Sequence, residues 1–149
     1  METYTINTRW LNKETTLEYD TFSRDHAVLF SGNQLLTNSS APSYLGNSEA
    51  SNPEELLAAA LSSCHMLTFL AICSKSHFVV ASYEDDAVAL LEKNGETNLL
   101  SITEISLHPI VKFIGENVPD EAKLKSLHEK AHKNCFIANS IKAKVNIIF

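Results

Sequence analysis

Between Asn52 and Ser76 the sequence runs NPEELLAAALSSCHMLTFLAICSKS. No other stretch limits the fold so tightly. Pro53 suits the first position of a helix, the Asn52 side chain can cap the orphan N–H groups behind it, and Glu55 stands where a capping-box acid reaches back. From there leucines, alanines, Phe69 and Ile72 fall on nearly every side of a helix expected to end near Ser76. A helix apolar all round is buried on most sides. Its roughly 24 residues would span about 36 Å at 1.5 Å per residue. One domain of 149 residues is scarcely wide enough to cover that, so a second copy of the chain is expected against it.

The segments around this helix predict the class. Residues 3–10 (TYTINTRW), 15–21 (TTLEYDT) and 25–31 (DHAVLFS) read as strands, the first two joined by a turn at Asn12 and Lys13 and the third ended by Ser31-Gly32-Asn33. Residues 37–52 are rich in Ser, Asn, Pro and Gly and read as a loop long enough to be functional or mobile. Residues 78–92 and 99–114 read as two long strands around an Asn94-Gly95 hairpin, with Pro109 marking an edge or a bend. Pro119-Asp120 opens a second helix that ends near Asn134. In the tail, Ile141, Ala143, Val145, Ile147 and Phe149 alternate as one face of a half-buried strand. The order β-β-β-α-β-β-α-β predicts a single α+β domain over residues 1–149, with mainly antiparallel sheet packed on helices.

Charge and length exclude several partners. A net charge of −6 without a Lys/Arg-rich run argues against nucleic acid. The N-terminus METYTINTRW has neither a basic nor an apolar signal region, so no secretion signal is expected and the site is taken as cytoplasmic. No stretch is an unbroken apolar run of membrane-spanning length, so no membrane is expected. Three cysteines, Cys64, Cys73 and Cys135, point to reduced thiols rather than to a disulfide framework.

Cys64 lies in the middle of the apolar helix, where a thiol can be a small hydrophobe, a metal ligand or a nucleophile. Cys73, nine residues on, is about half a turn round and roughly 13 Å along, so it cannot pair with Cys64 in an intact helix and is read as core. Cys135, in HKNCFIANS, stands where the second helix meets a turn, a place from which a thiol can approach another element. A reactive Cys64 must be a thiolate, and burial in mid-helix opposes that. The helix N-terminus is too distant to help, so a cation is needed. Arg9 and Arg24 are the arginines, and Arg24, in SRDH at a strand start, is the candidate. Glu54 is roughly 15 Å from Cys64 along its own helix. It could approach Cys64 only from a second copy whose helix packs antiparallel. His132 and Cys135 have H-x-x-C spacing, which with Cys64 leaves a zinc site open. His77, His108 and His128 are expected at the surface or at strand ends.

NPEELLAAALSSCHML, followed by HKNCFIANSI and the alternating tail, resembles the OsmC/Ohr family of thiol peroxidases over nearly the whole chain. The resemblance implies an intertwined homodimer with two long central helices, and reduction of organic hydroperoxides, in some members also of hydrogen peroxide, without a cofactor. It further implies that Cys64 is the peroxidatic thiolate and Cys135 the resolving thiol. A dithiol reductant, with the lipoyl type as a candidate class, would reopen their disulfide. Glu54 matches the glutamate that pairs with the activating arginine. The family's usual arginine segments are not present, and Arg24 is the stand-in. Phe136 stands where proline usually follows the second cysteine. The alternatives are a non-catalytic small-molecule-binding protein of the same fold and a zinc-binding one using Cys64, His132 and Cys135.

Overall fold

Helix α1 (Pro53–Lys75) begins on the capping box read from the sequence. The Glu55 N–H donates to Asn52 Oδ1 at 2.9 Å and the Asn52 N–H to Glu55 Oε2 at 3.1 Å, which satisfies two N–H groups that a helix start otherwise leaves bare. The computed structural model describes residues 1–149, which divide into two compact units, Met1–Leu56 and Leu57–Phe149.

The first unit carries an antiparallel sheet, β1 (Ile6–Arg9), β2 (His26–Phe30) and β3 (Leu35–Asn38), in that spatial order. Gly32 and Asn33, both at positive φ, turn the chain between β2 and β3. The strand expected over residues 15–21 does not form. The N–H groups of Thr21 and Phe22 both donate to the Glu18 carbonyl, and the carbonyls of Tyr19 and Phe22 are taken by the Arg24 guanidinium at 2.7 and 2.8 Å. Backbone acceptors committed to a side chain are lost to a sheet ladder, so β1 pairs directly with β2 instead. The polar stretch expected as loop from residue 37 begins with the end of β3. It is then held by buried polar groups. Asn38 and Ser39 are buried, Ser39 N–H donates to Ser51 O at 2.8 Å, and Ser51 Oγ to Asn38 Oδ1 at 3.1 Å. A Cβ on Gly46 would fall 1.5 Å from the Ser40 carbonyl oxygen, so this loop closes only around glycine.

In the second unit, each of the two long strands expected after α1 divides in two: β4 (Val79–Asp85), β5 (Val88–Lys93), β6 (Leu100–Leu107) and β7 (Pro109–Ile114). β4 pairs with β7 in one sheet, and β5, β6 and β8 (Lys144–Ile147) form another, β8 running parallel to β6. The break lies at Asp86-Ala87 on one side and His108 on the other, opposite each other in the register. The Asp85 carboxylate fills it, accepting the His108 N–H at 2.6 Å and the Ser62 hydroxyl of α1. Asn94-Gly95 stands in the β5–β6 hairpin as expected. Helix α2 (Glu121–Asn134) starts on Asp120, whose Oδ1 accepts the Lys123 N–H at 2.7 Å.

One face of α1 is buried through Ala58, Leu61, His65, Phe69 and Cys73, spaced three and four residues apart. Ala58 and Leu61 join Ile105, Leu107 and Cys135 in one core cluster, and Phe69 and Cys73 join Leu127 and Ala131 in another. The opposite face, with Ala60, Ser63, Leu67, Ala71 and Ser74, is exposed in the single chain. The expectation of burial on most sides is thus met on one side only within one chain. α1 is long and apolar enough to cross a membrane by length and composition, yet its buried face is packed against protein.

A candidate thiol site

Cys64 is half-buried on α1, and Cys135 is fully buried as the residue that caps the C-terminus of α2. The fold brings the two thiols together. Cys64 packs against the cluster that contains Cys135. Both cysteines are free thiols. They hold their protons unequally. Burial raises the Cys64 thiol, but the donors around it outweigh burial and leave its pKa below the ordinary thiol value. These donors are the Cys135 thiol, the backbone N–H groups of Ile137 and Phe136, and the Thr68 hydroxyl. That hydroxyl also donates to the Cys64 carbonyl at 2.8 Å. Burial and the neighbouring Cys64 sulfur push Cys135 up to about 11. Of the two, Cys64 therefore gives up its proton the more readily. Cys73, in the other core cluster, is pushed up to about 11 by burial and has the inert surroundings of a structural thiol.

The chain after α2 supplies the donors. Cys135 N–H still reaches back to His132 O at 3.2 Å, while Asn139 N–H donates to Cys135 O and Ser140 N–H to Ile137 O. Ala138 N–H donates to Cys135 Sγ at 3.4 Å. This turn thus sets a main-chain N–H on the Cys135 sulfur.

Two histidines expected to be uninformative or exposed lie in the interior. His65 and His128 are both buried. His65 Nε2 and His128 Nδ1 are 3.1 Å apart, one donating to the other. The His128 ring stacks on Phe69 and Phe149 at 4.2 and 4.5 Å between centroids. The expectation of a surface His128 fails because its ring shares the apolar stripe of α2 with Leu127 and Ala131. His65 is lowered to about 4 by burial and by repulsion from His132, against the opposing pull of Asp85. His128 is lowered to about 4 by burial and by His65. Both rings are neutral at pH 7.

Arg24 and Glu54 belong to the first unit. The Arg24 guanidinium stacks over the rings of Phe22 and Tyr19, 4.0 and 5.4 Å from their centroids, while bonding their carbonyls. It has no carboxylate partner. Glu54 is half-buried in the first turn of α1, without an ion pair. His132 places its carbonyl, not its ring, on Cys135. No three His, Cys, Asp or Glu side chains converge as a metal ion requires, so Cys64, His132 and Cys135 do not form the zinc site left open by their spacing.

A family model described as OsmC-like protein matches residues 46–149. The chain belongs to the OsmC-like family. An OsmC-like protein of unknown function from Vibrio cholerae is 38% identical, with a TM-score of 0.93 over 99% of this chain and 98% of that one. Two more distant OsmC-like structures share the fold. One is an organic hydroperoxide resistance protein from Elizabethkingia anophelis, 20% identical with a TM-score of 0.69, covering 98% of this chain and 94% of that one. The other is the organic hydroperoxide resistance protein OhrB of Bacillus subtilis, 15% identical with a TM-score of 0.65, covering 98% and 95%. No curated protein matches the chain significantly. The α+β class expected from the sequence is that of the OsmC-like fold.

Cys64 and its helix were legible as a candidate nucleophile, and Cys135 as a helix-end thiol able to approach another element. Thr68, four residues after Cys64 and therefore on the same helix face, was visible in the spacing but went unread. The main-chain donors at Phe136 and Ile137 have no signal in side-chain types.

Proposed function

We propose that this OsmC-like chain is a cytoplasmic thiol peroxidase that reduces organic hydroperoxides, one residue pair doing the chemistry. The observation that carries this reading is the packing of Cys64 against the core cluster that holds Cys135, supported by a Cys64 thiol lowered and a Cys135 thiol raised from the ordinary value. The Cys64 thiolate attacks the outer oxygen of the peroxide. The O–O bond breaks, its electron pair leaves with the inner oxygen, and that oxygen takes up a proton to become an alcohol. Cys64 is left as a sulfenic acid. The Cys135 sulfur, giving up its proton, then attacks the Cys64 sulfur. The S–S bond forms and the hydroxyl leaves as water. A dithiol reductant returns both thiols by exchange.

By the family pattern, Arg24 and Glu54 are the candidates for the activating charges, Glu54 acting from the second copy of the chain. The family pattern pairs a glutamate with an activating arginine, and Arg24, free of any carboxylate, is the cation available for it. A homodimer joined through α1 is part of the reading. It is supported by the exposed small-residue face of that helix, on which Leu67 is 60% exposed.

The test is turnover of an organic hydroperoxide with a dithiol reductant, together with non-reducing mass analysis after one equivalent of peroxide. The wild-type chain is expected to turn over and to lose the mass of two hydrogens as a Cys64–Cys135 link. Cys64→Ser is expected to abolish both. Cys135→Ser is expected to consume one equivalent, yield a trappable sulfenic acid and then stall. Peroxide consumption that survives Cys64→Ser would remove the reading.

A further inference from the structure

Along the buried face of α1, Leu61, His65 and Phe69 follow one another at four-residue spacing. Leu61 belongs to the core cluster that holds Cys135, and Phe69 to the other. His65 therefore stands at the joint between two apolar clusters, and His128 meets it there from α2. Their ring nitrogens, 3.1 Å apart, make the one hydrogen bond that joins α1 to α2. The rest of that contact is apolar, through Phe69 and Cys73 on one helix and Leu127 and Ala131 on the other. His128 Nε2 is buried without a partner, so the bond to His65 is the only one its ring makes in exchange for leaving water. Burying two imidazoles is costly where apolar side chains would fill the same space. A polar pair in an otherwise apolar helix seam has a well-attested use: it fixes register, at some expense of stability. Apolar burial is non-directional, whereas an N–H···N bond demands a distance and an angle.

The two thiols ride on the elements that this bond joins. His65 follows Cys64 directly, and His128 precedes Cys135 by seven residues. Seven residues are close to two helical turns, so His128 and Cys135 fall on one side of α2, roughly 10 Å apart along its axis. Each helix thus carries one half of the bond and, at a fixed offset from it, one sulfur. We propose that the His65–His128 hydrogen bond is a clasp between α1 and α2 that sets the approach of Cys135 to Cys64, which makes both histidines positioning residues of the thiol pair. The proposal deepens the peroxidase reading and rests on it for what the pair does. It concerns the alignment of the sulfurs, which can be measured without oxidising them by peroxide.

The experiment equilibrates the chain with reduced and oxidised glutathione and reads the Cys64–Cys135 link by non-reducing mass analysis. Oxidised glutathione takes the two electrons and two protons of the protein thiols and leaves as two glutathione thiols. The equilibrium gives the effective concentration of one cysteine at the other. His65→Phe/His128→Phe fills the seam without the bond. It is expected to lower that concentration about tenfold, the worth of one hydrogen bond, while still unfolding in a single cooperative urea transition. His65→Gln, whose amide can reach His128 Nδ1, is expected to stay within about twofold of the wild type. So is Asp120→Ala, which weakens α2 at its far end and leaves the clasp alone. A folded double variant at the wild-type value overturns the clasp. A loss in His65→Gln or in Asp120→Ala as large as in the double variant overturns it too, since the cause would then be general loosening. If the double variant does not fold, the wild-type chain decides through solvent exchange of its bonded imidazole N–H. Coupling between two events is reciprocal, so closing the disulfide with oxidised glutathione is expected to slow that exchange by about the same tenfold. Equal exchange in the two redox states overturns the clasp. Neither readout uses peroxide, so a chain inert to peroxide loses the peroxidase reading and keeps the clasp.

Discussion

At Cys64, burial raises the thiol while four groups favour its anion. At Cys73, on the same helix, burial acts alone and the thiol is pushed up to about 11. Residue type and helix position were legible for both cysteines, and the reading of Cys73 as core followed from spacing alone. What separates the two is the company each keeps, and that depends on where residues 135–138 come to rest. Phe136 shows the same gap between sequence and structure: replacing the family's usual proline there restores an N–H, a difference invisible in hydropathy. The buried imidazole pair adds a prediction at this scale. His65 and His128 have folded pKa values of about 4 against about 6.5 in an unfolded chain. Between those values the unfolded chain binds more protons, so folding stability rises with pH there. The contribution is complete above about pH 6.5 and is lost as pH falls toward about 4. One such imidazole is worth on the order of 3 kcal/mol, and the pair less than twice that, since part of each shift is repulsion from another histidine. Urea unfolding from pH 7.5 down to 4 is expected to show this slope. The double substitution His65→Phe/His128→Phe is expected to flatten it.

Elements were legible where a local signal marks a boundary. The Asn52 box and the Asp120 cap sit where the sequence places them, because capping is settled within four residues. Asp120→Ala is expected to cost about 1 kcal/mol in chemical denaturation, with the slope against denaturant unchanged. Strand boundaries were less legible because their causes are distant. Residues 15–21 have strand composition, yet Tyr19 and Phe22 give their carbonyls to Arg24. The long apolar runs after α1 break at His108 and Asp86-Ala87, because Asp85 takes the His108 N–H and the Ser62 hydroxyl there. The end of α1 is a further case. His77 has φ 60°, with its N–H on Ser74 O and the Phe78 N–H on Cys73 O. That is the bonding of a glycine-type stop made without glycine.

For the whole molecule, the tension noted in the sequence persists in the structure. α1 covers one face with its own chain and leaves Ala60, Ser63, Leu67, Ala71 and Ser74 bare. Small residues along one face let a second helix come close, and burying that stripe against a copy of itself would resolve the excess of apolar surface. Leu67→Glu is expected to shift the chain from dimer to monomer in light scattering, since like charges would meet across a two-fold axis. A wild-type chain that scatters as a monomer at micromolar concentration would refute the dimer. Within one chain, Cys135 lies just past the last turn of α2 and already touches the layer that holds Cys64. Closing a bond between the two sulfurs would therefore require no helix to melt and no segment to swing across the surface. A cycle run on this pair would be paced by the arrival of oxidant and reductant, with the scaffold standing still throughout.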